Sequence, residues 1–337
     1  MIGRRIPGGD TLPARLLWND AEQRFRMPVR IVAGLAIWFL LGITLSVIIE
    51  AVVGGQSPIF DLRTSWFGIL TVQTIQIVPG LILTPLTLYL AGRFLDRRYI
   101  RDFGLRIDRR WWIDLVAGFV LGGVLMTGMF LFQVALGWVT ITGVLTTANT
   151  GIPAWTVPFW VGLSILAYLV GSVAEELLYR GFLLTNFAEG FQIGPIGARG
   201  AVVAGIALTS GFFAVSHATT PNSTALSTIS IGLAGIFLAL AYVLTGQLAL
   251  PIGIHIAWNF FEGNLYGFPI SGSGTTSVLQ IRQAGPDLIT GGAFGPEAGL
   301  LGIGAILLGM AVTVVWARYY RGNSGIDPTI TVAELRG

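Results

Sequence analysis

Residues 158–188 read PFWVGLSILAYLVGSVAEELLYRGFLLTNFA, an apolar run whose only charged residues are Glu175, Glu176 and Arg180. It is longer than the ~20 residues that cross a hydrocarbon core of roughly 30 Å at about 1.5 Å rise per residue. Its apolar residues do not alternate as those of barrel strands do. Every backbone polar group in lipid must be satisfied within the chain, so the run is a helix. Comparable runs lie on either side, and eight spans are expected: 30–53, 67–91, 113–137, 158–188, 199–217, 225–245, 248–262 and 296–318. The seventh is short, as a re-entrant or buried segment would be. The expected fold is all-α, a polytopic transmembrane helix bundle.

Composition supports this reading. Of 337 residues, 53% are hydrophobic and 11% charged, against roughly 25% charged in a soluble domain. All 20 basic residues are arginine, and no basic stripe with interleaved aromatics suggests nucleic acid as a partner. There is no cysteine, which excludes disulfides, thiolate metal sites and cysteine nucleophiles. Residues 1–28 are polar and do not read as a signal peptide.

Charge placement organises the chain. Arginines crowd the region before the first span and the 93–112 segment, and Arg318 and Arg321 follow the last span, whereas 138–157 and 218–224 carry none. By the positive-inside rule both termini are expected in the cytoplasm of a multi-pass cell-membrane protein, a parity that eight spans satisfy. The expected divisions are a cytoplasmic segment 1–29, N-terminal transmembrane helices over 30–157, a catalytic core 158–262, a mobile external loop 263–295, a last helix 296–318 and a disordered cytoplasmic tail 319–337. The 93–112 segment mixes arginine with aromatics and reads as interfacial, held by anionic lipid.

Ionisable groups are costly in a bilayer and mark function by default. Here they cluster. Glu175, Glu176 and Arg180 lie in the fourth span, and Asn259 and Glu262 follow His255. The two histidines of the chain, His217 and His255, both fall in apolar spans. Glu176 and Arg180 are i, i+4, so they pair along one face and seat the helix. Glu175 points elsewhere, as a general base or as an acceptor in a polar seam. Phe213 sits one turn before His217, where its ring fixes the imidazole. His255 and Asn259, again i, i+4, suit an oxyanion at an attacked carbonyl. Taken singly, each histidine also fits an interhelical hydrogen bond. Glu175 and His217 each lie 21 residues from position 196 in the turn between spans four and five, so an antiparallel hairpin sets them at one depth.

Three motifs resemble the CAAX protease and bacteriocin-processing family, also called type II CAAX prenyl endopeptidases. EExxxR reads Glu175-Glu176-Leu177-Leu178-Tyr179-Arg180, FxxxH reads Phe213 to His217, and HxxxN reads His255 to Asn259. The resemblance implies a membrane endopeptidase similar to CAAX prenyl protease 2, acting on a membrane-associated protein or peptide in the bilayer. It implies Glu175 as the base, His217 holding the water, His255 and Asn259 stabilising the oxyanion, and Glu176 and Arg180 in support. No cofactor is required on this reading. As the alternative, zinc takes Glu175, His217 and His255 with one open position, although neither HExxH nor a second-shell carboxylate for each histidine is visible. Other functions compatible with such a chain are a proton-coupled transporter, or a non-catalytic scaffold or bacteriocin-immunity factor.

Overall fold

The computed structural model describes residues 17–53, 77, 80–145, 154–274, 276–323, 325–332 and 335–336. Residues 1–16 of the leading segment and 67–76 of the second expected span lie outside them. The chain is a helical bundle, and six of its helices among the described residues are long and apolar enough to cross a membrane. Five of these are α1 (Met27–Val53), α3 (Arg109–Ala135), α5 (Gly197–His217), α6 (Ala225–Thr245) and α8 (Leu300–Tyr319). The sixth, α4 (Val157–Glu176), runs on through a π-helical stretch Leu177–Leu184 into Thr185–Gly190. Two shorter helices complete the bundle. Residues 80–90 form α2, which ends in a π-helical turn, Ala91–Asp96, and α7 is Ala249–Asn259 with a π-helical continuation Phe260–Leu265.

Local chemistry sets the helix limits. Asp108 caps α3 by accepting from the Trp111 N–H at 2.8 Å, and Thr224 and Ser227 form a capping box at the start of α6. Gly246, at φ 65°, ends α6 in the left-handed conformation and turns the chain tightly into α7. The short α7 is sunk in the bundle against α3, and glycine makes the approach possible. A Cβ on Gly118 would lie 2.2 Å from the Leu250 carbonyl, and one on Gly253 would lie 2.2 Å from that of Leu115. Close backbone contact of this kind is how helices associate where no hydrophobic force separates them from lipid.

Three segments are more ordered than the sequence suggests. The 263–295 connection is built into the fold: β2 (Leu279–Gln283) pairs antiparallel with β1 (Val139–Val144), Val139 opposite Gln283. Asn222 binds the Gly272 carbonyl at 3.3 Å and fastens this connection to the 218–224 turn. The tail is not disordered over 326–332, because Asp327 caps a helical turn and Ile330 is an apolar anchor in the core. The 93–112 segment is only partly interfacial. Arg101 is exposed, but Arg98 is buried beside Glu189, next to Arg30–Asp96 at 2.7 Å and Arg24–Glu189 at 3.1 Å. Burial pushes the Arg98 guanidinium down to about 10 against the pull of Asp96. Arg97 donates to the Glu22 and Gln23 carbonyls on one side and to the Arg336 carbonyl on the other. Buried charges must be paired, and these segments pair one another.

Candidate active site

At the end of α4, Glu176 is fully buried. Its Oε1 accepts from Arg180 Nη1 at 2.7 Å and from His255 Nδ1 at 2.8 Å. Arg180 Nη2 donates to the Gly235 carbonyl at 3.1 Å, so one guanidinium joins α4 to α6. The pair does more than seat the helix. It orients His255, whose Nε2 lies 3.8 Å from Glu175 Oε2. Glu175, one residue away, has a side chain 37% exposed. Two adjacent carboxylates thus have separate surroundings, one sealed in an ion pair and the other open to the cavity.

His217 is the last residue of α5. Its Nδ1 lies 2.8 Å from the Phe213 carbonyl. A carbonyl only accepts, so a proton sits on Nδ1, and in the neutral ring Nε2 keeps its lone pair. Ser216, 3.2 Å from the same nitrogen, takes a hydrogen bond from Tyr179 at 3.0 Å. Phe213 is shared by four partners: its ring centroid is 4.6 Å from that of His217, 5.2 Å from that of Tyr179, 6.2 Å from that of His255 and 4.8 Å from the Arg180 guanidinium. Asn259 Nδ2 donates to Ser172 Oγ at 3.1 Å, which aims the amide at α4.

These side chains meet in a cavity of about 740 Å³, lined by Glu175, His217, His255 and Asn259 among others. The equal-depth expectation for Glu175 and His217 agrees with their sharing it. Two further groups line it that the motif reading missed, Ser271 and Glu297. Ser271 comes from the 263–295 connection, and Glu297 stands in the turn Pro296–Ala298 before α8. The cost of a carboxylate inside the expected span 296–318 is the signal that marks Glu297 in the sequence. Glu262, in the π-helical continuation of α7, is fully buried, and neither of its carboxylate oxygens has a hydrogen-bond partner of good geometry.

The second-shell objection to zinc does not hold for His255, since Glu176 is the carboxylate on its Nδ1. Among the described residues no group of three or more His, Asp or Glu side chains that could hold a metal ion is found.

A family model described as type II CAAX prenyl endopeptidase Rce1-like matches residues 155–261, the stretch that carries all three motifs. The resemblance drawn from those motifs is thereby shown for this part of the chain, and it indicates a membrane protease. Neither the curated proteins nor the solved structures contain a significant match.

Proposed function

We propose, with that match as premise, that the cavity hydrolyses a peptide bond of a membrane-associated protein or peptide and that Glu175 activates the water. One observation supports the reading above others: His255 stands between Glu175 and the Glu176–Arg180 pair in a cavity that His217 and Asn259 also line. Glu175 takes a proton from water, and the hydroxyl oxygen bonds to the carbonyl carbon of the scissile amide. His217, with its proton directed to the Phe213 carbonyl, offers the Nε2 lone pair to the other hydrogen of that water. The carbonyl oxygen becomes an oxyanion facing His255 Nε2 and the Asn259 amide. For Nε2 to donate, the His255 ring must carry both protons, and Glu176 opposite Nδ1 compensates that charge. The tetrahedral intermediate then breaks its C–N bond, and the proton on Glu175 passes to the leaving amine. The arginine distribution supports a cell-membrane setting with both termini cytoplasmic.

Glu175→Gln in the purified protein is expected to lower kcat/KM by about 10²- to 10⁴-fold, the usual share of a positioned acid or base, while the variant still inserts and folds. Cleavage by the parent is expected to survive a strong chelator. Parent-level turnover in Glu175→Gln would remove the base. Loss on chelation with recovery on zinc would move the reading to the metal alternative.

A further inference from the structure

Glu297 is 6% exposed and lines the catalytic cavity. Its Oε1 accepts two hydrogen bonds from one residue, from the Ser271 N–H at 2.7 Å and Ser271 Oγ at 2.9 Å. Its backbone carbonyl takes a third from Ser230 Oγ of α6. Both side-chain bonds fall on Oε1 and both come from Ser271, which fixes the carboxyl group in place. The groups that reach it electrostatically are His217 and His255 across the cavity, whose own hydrogen bonds go to Phe213 and Glu176. Among the described residues no arginine pairs with Glu297, and the chain has no lysine.

The other buried carboxylates are treated differently. Asp96 has Arg30 at 2.7 Å, Asp114 has Arg321 at 3.6 Å, Glu176 has Arg180 at 2.7 Å and Glu189 has Arg24 at 3.1 Å. Among the described buried carboxylates, those without an arginine are Glu297 and its electrostatic neighbour Glu262, which is fully buried beside Trp258 and the Glu297 backbone. An unpaired buried carboxylate is expensive unless a partner arrives. Here it faces the one cavity that a peptide has to enter on the proposed reading, and the histidines there are committed to Phe213 and Glu176.

We infer that Glu297 is a specificity site that receives a cationic group of the substrate, a lysine or arginine side chain close to the scissile bond. The inference rests on the proteolytic reading for its setting, though not for its test. A basic side chain entering the cavity completes the ion pair that the protein omits, with Ser271 holding the carboxylate in place. Substrates with a neutral residue at that position leave Glu297 buried and unpaired and are therefore discriminated against.

The test uses the full-length protein in lipid nanodiscs and internally quenched peptides differing only in Lys, Gln or norleucine at one position, swept across the scissile bond. At one position Lys is expected to raise kcat/KM over Gln by about ten- to a hundredfold, the range of a hydrogen bond to a charged group, and mainly through KM. Glu297→Gln is expected to bring the ratio close to one, and Glu297→Asp to keep part of it. A parent with no basic preference at any position overturns the inference and leaves Glu262 and Glu297 sharing a proton instead. A preference unchanged in Glu297→Gln overturns it too. Should Glu297→Gln not fold, Ser271→Ala, which removes a bond to Oε1, is expected to lower the same ratio. Binding of these peptides to Glu175→Gln by fluorescence anisotropy separates the two readings. A parent that cleaves nothing sinks the proteolytic one, while Glu297-dependent binding of the Lys peptide still upholds this one.

Discussion

His255 is the residue whose place is least legible in the sequence. It lies about eight residues past the 245–247 turn, shallow for a straight span, yet it is held by Glu176 at 2.8 Å and faces Glu175 at 3.8 Å. Helical spacing relates Glu176 to Arg180 because both lie on one helix, but it is silent on a bond that crosses from α4 to α7. The consequence is testable at Glu176. Glu176→Ala leaves the buried Arg180 without a counter-charge, and is expected to destabilise the protein by about 3–5 kcal/mol, the cost of breaking a buried pair. Adding Arg180→Met to it is expected to recover most of that stability but not the cleavage, since His255 still lacks its partner. Thermal unfolding in detergent and peptide turnover, read together, check both halves. Recovery of turnover in the double variant would reduce Glu176 to a purely structural role.

Among the elements, the long spans are written plainly in composition, because length and apolarity are local properties. The depth of α7 is not, because it depends on which glycines of two helices happen to face each other. Gly118 and Gly253 let α7 sink against α3 and carry His255 and Asn259 to the cavity. Gly253→Ala forces the two backbones apart and is expected to cost about 1–3 kcal/mol, as overpacking does, together with most of the activity. Gly128→Ala, on the same α3 with no atom within 4 Å of the added methyl, is expected to stay within about 0.5 kcal/mol of the parent. Equal melting of the two variants would remove the glycine contact from the account. The β1–β2 pairing was equally hidden, since its strands are short and its partners lie from 135 (Val144 and Leu279) to 144 (Val139 and Gln283) residues apart in the sequence.

For the whole molecule, the apolar exterior is the dominant fact. Val124, near the middle of α3, is 63% exposed, and such a residue faces lipid. Val124→Arg is expected to cut the yield of inserted protein, at roughly 2.5–3.5 kcal/mol for arginine at a helix centre, whereas Val124→Leu is tolerated. Quantifying the membrane fraction distinguishes them, and equal yields would place Val124 away from lipid. The arginines of the sequence foretell a charged border, but not that it is knotted from three parts of the chain. Arg97 reaches the 22–23 carbonyls with one hand and the 336 carbonyl with the other. Residues 22–23 and 336 therefore lie within the span of one guanidinium, and a covalent link between these two segments would restrict the unfolded form far more than the folded one.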